Sequence, residues 1–398
     1  MVEDKLKENY MKILFFNNGS ANPMLGGIQA VTYYLTYYFK SLGHEVYILS
    51  VFRDTDYKNS VQIYFPDQEN IKGEMNRIFL IDFIQEKHIE IVVNQSCLSP
   101  QLSIFLPIIK ATGIRLVSVF HSQPYGVYGI NNFPKIYNAI SCKRMRSIID
   151  KCIHFAFKIK YGKHFRRILK YSDRQVMLSE KFINEFIYFS SRKYKEKVMA
   201  IPNPLTTSGV KSGKKEKIVL FVGRICQGKG VDIILKVWNH ICHNEKYKDW
   251  KLYIVGDGEE KKELEKLAIE MQLVNYSFKG FQKPDIYYDQ AKIFCMASTF
   301  EGFGLVLIEA MYYGAVPLAF NSFSNCSDII DDKQNGFLVT PFSIEEYIQK
   351  LTGLMEDEKK WTTMSICAMR KSQEFSIESI GSKWLTLFKI LLEGEKYI

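Results

Sequence analysis

No two cysteines in this 398-residue chain form a CxxC pair, and the eight that occur are scattered, several inside apolar runs such as IFCMAS (293–298). That arrangement supplies no disulfide framework and reads as reduced, buried thiols in a cytoplasmic protein. The tightest cluster, His240, Cys242 and His243 in HICH, has no second ligand pair at zinc-like spacing. Low-complexity tracts and a repeat of solenoid period are missing as well, which excludes linker-like and stacked-repeat architectures. Long apolar runs are lacking: SIFLPII (103–109) is far too short to span a bilayer. The opening MVEDKLKENYMKILFFNNG has acids early and only a short apolar run, so it does not read as a secretory leader. Met11 is the expected start of the fold, with the first ten residues a solvated extension. The GxGxxG spacing of dinucleotide binders is not found either.

What is present is ordinary in amount and uneven in placement. Apolar residues make up 47% and charged residues 24%, as in soluble globular proteins, and the length suits two domains. The net charge is +10; residues 1–200 carry 28 Lys and Arg against 17 Asp and Glu, residues 201–398 carry 25 against 26. A basic first half implies an anionic partner, membrane or nucleic acid.

Short continuous apolar runs alternate with helical patterns. KILFF (12–16), EVYILSV (45–51), IEIVV (89–93), IRLVSVF (114–120) and RQVMLS (174–179) predict strands in the first half. KIVLFVG (217–223), KLYIVG (251–256), IFCMAS (293–298), AVPLAF (315–320) and GFLV (336–339) predict them in the second. Such runs mark parallel sheets covered on both faces, so each half reads as a doubly wound α/β domain. The Pro-, Gly- and Lys-rich stretch 201–217 is the expected join. Ligands of such sheets bind beyond the carboxyl ends of the strands, in a cleft where two domains face each other.

The loops at those strand ends hold the chemistry. NNGSANPMLGGIQAV (17–31) enters a helix at Gly26 and Gly27, where the backbone can approach an anion closely. FVGRICQGKGVDIIL (221–235) confines Arg224 and Lys229 to a glycine-bearing loop, suited to negative charge; the plain alternative is two solvated cations. TFEGFGLVLIEAMYYGAVPLAF (299–320) places Glu301 before a Gly-Phe-Gly turn and Glu309 inside the helix expected from Gly304 or Leu305 to Tyr313. The two carboxylates would stand on the order of 10 Å apart along the axis, about the span of a pyrophosphate between a sugar and a ribose. A carboxylate only accepts, and so grips hydroxyl pairs. The alternative makes Glu301 a capping acid and Glu309 a surface residue.

EGFGLVLIEA resembles the E-x7-E signature of the family 4 retaining glycosyltransferases of GT-B fold. GGIQ, FVGRICQGKG, IVGDGE, FKGF and NGFLV follow in the family's order, so the resemblance runs along the whole chain, most specifically over 217–340. It implies two Rossmann-like domains facing an interdomain cleft. Residues 1–203 would bind acceptor and 204–377 the donor, with a C-terminal helix at about 378–398 packing back on the first domain. Arg224 and Lys229 would hold the donor diphosphate together with the backbone at Gly27, Gly304 and Leu305. Glu301 would contact the sugar and Glu309 the ribose. His121 in VFHSQP resembles the family histidine beside the sugar, although a lone histidine after a strand is more often structural. Phe281 is a candidate wall for the base. Pro204 in IPNP stands where the family usually has glycine.

The implied activity is a metal-independent, retaining hexosyltransferase without cofactor. It would move a sugar from a UDP- or GDP-sugar to a glycan or polyprenyl-linked acceptor in cell-surface polysaccharide synthesis. Cationic side chains and helix amides would then stabilise the leaving group. RDTDY (53–57) mimics a DxD metal motif but reads as a polar loop after a strand. Competing readings are a sugar-nucleotide epimerase or phosphorylase of the same fold, and a basic nucleic-acid-binding protein, for which no module signature is found. In CKRMRSIIDKCIHFAFKIKYGKHFRRILK (142–170), Met145, Ile148, Ile149, Cys152, Ile153, Ala156 and Phe157 recur at helical spacing among ten Lys and Arg. That pattern suits peripheral attachment to an anionic inner membrane face, or a core-packing helix with a solvated cationic side.

Overall fold

The computed structural model describes residues 10–127, 142–207, 209 and 211–394. The extension expected over the first ten residues lies, up to residue 9, outside the described residues. Within the described residues the chain divides into two compact units. One runs to Pro204 and resumes at Ile377; the other is Leu205–Ser376.

The first unit is built on seven strands: β1 (Lys12–Asn17), β2 (Glu45–Ser50), β3 (Gln62–Tyr64), β4 (Ile91–Asn94), β5 (Arg115–Phe120), β6 (Arg174–Met177) and β7 (Val198–Ala200). All pair in parallel, in the order β3-β2-β1-β4-β5-β6-β7. Ile13 to Asn17 of β1 are all buried, because helices cover both faces of the sheet and leave no solvated side for polar residues. The chain lays β2 and β3 to one side of β1, then returns to lay β4 onward on the other. This reversal opens a crevice at the carboxyl ends of β1 and β4.

Helix α1 (Gly27–Ser41) leaves the loop after β1 and is covered by the last helix of the chain. That helix, Ile377–Glu393, buries Ile380, Gly381, Trp384, Leu387, Phe388 and Leu391. Gly381 lies so close to α1 that a Cβ there would stand 2.1 Å from Tyr38 Cε1, and the rings of Phe39 and Phe388 are 5.7 Å apart. The helix α2 (Lys143–Tyr171) carries two apolar faces. Phe165, Ile168 and Leu169 turn into the core. Met145, Ile148, Cys152, Phe155 and Ile159, spaced three and four apart, are exposed. The seam expected from sequence is therefore shifted: Ile149, Ile153 and Phe157 are half-buried, since the helix packs through the side that holds His154, and Phe155 and Ile159 join the open stripe. Among the described residues no helix is long and apolar enough to cross a membrane.

The second unit holds β8 (Glu216–Val222), β9 (Lys251–Val255), β10 (Tyr276–Gly280), β11 (Ala291–Met296), β12 (Val316–Phe320) and β13 (Phe337–Val339). They too are parallel, in the order β10-β9-β8-β11-β12-β13. The reversal falls between β8 and β11, so the loops after these two strands flank the crevice. These are the loops that carry Arg224, Lys229 and Glu301. Helix α3 (Val231–Cys242) follows β8, and α4 (Leu305–Tyr312) follows β11.

Three strands, β3, β7 and β10, have no counterpart in the apolar runs of the sequence. Each is a sheet edge. An edge strand has one neighbour and partly solvated faces, and the half-buried YSFKG of β10 accordingly shows no continuous apolar run.

Candidate functional site

Two loops of the second unit are hooked together at the β8/β11 crevice. The Thr299 amide donates to the Gly228 carbonyl at 2.8 Å, and on its other side the Ile225 amide ties the first loop to the Asp257 carbonyl after β9 at 2.8 Å. Gly230 closes the first loop with φ of +69°, and a Cβ there would lie 2.1 Å from the Ala297 carbonyl oxygen. Only glycine fits both the backbone conformation and the approach.

This packing brings Lys229 onto Glu301. Lys229 Nζ donates to Glu301 Oε1 at 2.7 Å, with the carboxylate side chain only 12% exposed. The two residues that the sequence assigns separately to phosphate and sugar are thus partners of each other. Arg224 is exposed and has no ion pair among the described residues.

The turn between Glu301 and α4 is fixed from behind. Buried Asn325 donates through Nδ2 to the Phe303 carbonyl at 2.9 Å. Gly304, with φ of +93°, then starts the helix at Leu305, and no side chain caps it. Its first-turn amides and dipole face an uncapped end, where an anion is stabilised.

Glu309 sits half-buried in the second turn of α4. Its carboxylate accepts from the Thr206 hydroxyl and, at 2.9 Å, from the Tyr288 hydroxyl. Burial pushes its carboxyl above the usual range, against the opposite pull of those two hydroxyl donors. Burial also holds Tyr288 protonated, far above an ordinary phenol. Beside them Asp285 accepts from Thr207 at 2.6 Å and from Tyr313 at 2.8 Å. Thr206, Thr207, Asp285, Tyr288 and Asn325 escape sequence reading, because their partners come from distant segments. Phe281 follows β10, two strands from the reversal, and is 63% exposed.

In the first unit, Gly27 is the first residue of α1, and His121 follows β5. A pocket of about 340 Å³ lies at the β1/β4 crevice, lined among others by Asn17, Ile28, Gln95, Leu98, Val119 and His121. His121 Nε2 lies 2.6 Å from Gln95 Oε1. Burial drops the imidazole pKa to about 3, so the ring is neutral. The RDTDY loop is solvated at Arg53, Thr55 and Asp56, and Asp54 ties it to the loop after β1 by accepting from Ser20 at 2.8 Å.

Residues 207–368 match the family described as Glycosyl transferases group 1. An uncharacterized glycosyltransferase of Haemophilus influenzae is 34% identical over 189 residues, 47% of this chain and 53% of that protein. An alpha-1,4-N-acetyl-D-galactosaminyltransferase of Campylobacter jejuni, named for an undecaprenol-linked acceptor, is 29% identical over 177 residues, 44% of this chain and 49% of that one. The chain thus spans about half the length of these curated relatives. The crystal structure of Anabaena HepE in complex with UDP and glucose superposes with a TM-score of 0.72 at 17% identity, over 96% of this chain and 100% of that one. This likeness carries the fold: two parallel, Rossmann-like sheets of the GT-B kind.

Proposed function

We propose that this chain, whose residues 207–368 match the group 1 glycosyltransferases, is a family 4 retaining enzyme moving a sugar from a nucleotide-diphosphate sugar to a glycan or lipid-linked acceptor. The observation that carries the reading is the β8/β11 crevice. There Arg224, exposed and without an ion pair among the described residues, the Lys229–Glu301 pair and the uncapped start of α4 lie on adjoining loops. Cations and helix amides together suit a diphosphate, and carboxylates suit hydroxyls. UDP comes first among the nucleotides to test, because the similar HepE was crystallised with it; GDP is the alternative.

In the reaction the bond from the anomeric carbon to the diphosphate oxygen breaks, and the acceptor oxygen bonds to that carbon on the same face. The departing phosphate takes the acceptor's proton. Negative charge grows on that phosphate as the bond lengthens, where Arg224 and Lys229 stabilise it without a metal. Glu309 holds the ribose and Glu301 the transferred sugar. The test is thermal stabilisation across nucleoside diphosphates and their sugars, followed by mass analysis of the products. One nucleoside diphosphate should raise the melting temperature and its sugar should be transferred. Absence of any shift across the panel would sink the reading.

The open face of α2 supports peripheral attachment to an anionic membrane carrying a polyprenyl-linked acceptor. Beyond the apolar stripe ending at Ile159, the same face continues with Lys163, Arg166 and Lys170, all exposed. Apolar insertion flanked by cations matches an anionic lipid surface. Vesicles rich in phosphatidylglycerol should sediment the protein at low salt, and neutral ones should leave it in solution. Equal binding to both removes the membrane from the reading.

A further inference from the structure

The pocket at the β1/β4 crevice is lined by Asn17, Gln95 and His121 among others, with no charged side chain in its wall among the described residues. Asn17 and Gln95 are almost wholly buried, at 2% and 1% exposure. Three polar atoms there have no partner among the described residues: Asn17 Oδ1, Gln95 Nε2 and His121 Nδ1. Buried polar groups are normally satisfied, so three orphans around one cavity point to a ligand that satisfies them.

Their polarity follows from one hydrogen bond. The Gln95 Oε1 that lies 2.6 Å from His121 Nε2 can only accept, so Nε2 carries the proton. A neutral imidazole has one proton, and Nδ1 is left a bare acceptor. The same amide, held by that bond, leaves its NH2 as a free donor. The wall therefore offers two acceptors and a donor, with Ile28, Leu98 and Val119 as apolar surface.

We propose that Gln95 is the positioning residue that fixes the tautomer of His121, the histidine that the family resemblance sets beside a sugar, and that Gln95 Nε2 and Asn17 Oδ1 complete its grip on an uncharged, hydroxyl-bearing ring. Hydroxyls donate and accept alike and match all three atoms, while the C–H face of a ring suits the apolar wall. A carboxylate or phosphate would find no cation and two acceptors. The ring class rests on the glycosyltransferase reading; the tautomer does not.

The experiment uses the full chain with ¹⁵N-histidine and long-range ¹H–¹⁵N correlation, with His121 assigned by loss of its signals in His121→Gln. The wild type should show a single tautomer, Nε2 protonated and Nδ1 bare. Gln95→Met, of similar length but with no acceptor, should lose that preference. Gln95→Glu should restore it while lacking the NH2 donor. Methyl glycosides of glucose, galactose and N-acetylglucosamine, the matching UDP-sugars and methyl glucuronide are then titrated. At least one neutral ring should move the Nδ1 resonance in the wild type and fail to do so in both Gln95 variants. A shift with a free glycoside marks the acceptor's ring, and one seen with UDP-sugars alone marks the transferred ring. An Nδ1-protonated wild type, or an unchanged tautomer in Gln95→Met, overturns the positioning role whatever the enzyme transfers. No shift with any neutral ring, or an equal one with glucuronide, overturns the sugar subsite.

Discussion

Arg224 and Lys229 stand on one loop, yet removing them should have unequal consequences. Arg224 is exposed and has no ion pair among the described residues, so Arg224→Ala should cost the fold almost nothing. Lys229 neutralises a Glu301 that is 12% exposed, and Lys229→Ala leaves that carboxylate alone. Both variants should lose about a hundredfold or more in turnover, on the order of 3 kcal/mol of leaving-group stabilisation. Only Lys229→Ala should also lower the melting temperature. Steady-state kinetics beside thermal denaturation check the contrast, and near-normal turnover in both would move the phosphate site elsewhere. The glutamates should separate as well. Glu309→Gln should weaken binding of the bare nucleoside diphosphate, because its proposed partner is the ribose. Glu301→Gln should bind it almost normally and turn over slowly. Calorimetry with nucleotide alone decides, and equal losses would reverse the assignment.

At the level of elements, the loop after β8 depends on Gly230. Gly230→Ala meets both a left-handed backbone and the Ala297 carbonyl, so it should destabilise the protein by about 2 kcal/mol. Denaturant unfolding measures this, and a midpoint unchanged from wild type would show that the loop re-forms. Much of this level was legible in the chain. Central strands announced themselves as unbroken apolar runs, and the helix after Glu301 as a segment bounded by Gly304 and Gly314. Of the four edge strands only β13 did, through GFLV; β3, β7 and β10 did not, since one-sided pairing demands no such run. The site was half legible. Glu301, Lys229 and Arg224 lie in short glycine-punctuated motifs, whereas Thr206 reaches Glu309 across 103 positions and Gln95 meets His121 across 26. Local patterning holds no record of such pairs. The α2 seam was misplaced for a related reason: spacing shows that apolar residues share a face, and packing decides which face is covered.

For the whole molecule, the division at Pro204 and Ile377 makes the first unit discontinuous in sequence and the second almost continuous. Residues 205–376 expressed alone should unfold cooperatively and keep the stabilisation that the proposed function expects from a nucleoside diphosphate. A chain ending at 376 should lose much stability in the first unit, because Tyr38 and Phe39 are stripped of the helix that covers them. Differential scanning calorimetry of the two truncations tests this, and a first-unit transition unmoved by loss of 377–398 would contradict it. The same discontinuity sets an order of events on the ribosome. The six-stranded sheet can close while the chain is still being made. The seven-stranded one, although synthesised first, must wait with the outer face of α1 bare until the final helix emerges, and for that interval the nascent protein offers a chaperone an aromatic surface that the finished protein does not have.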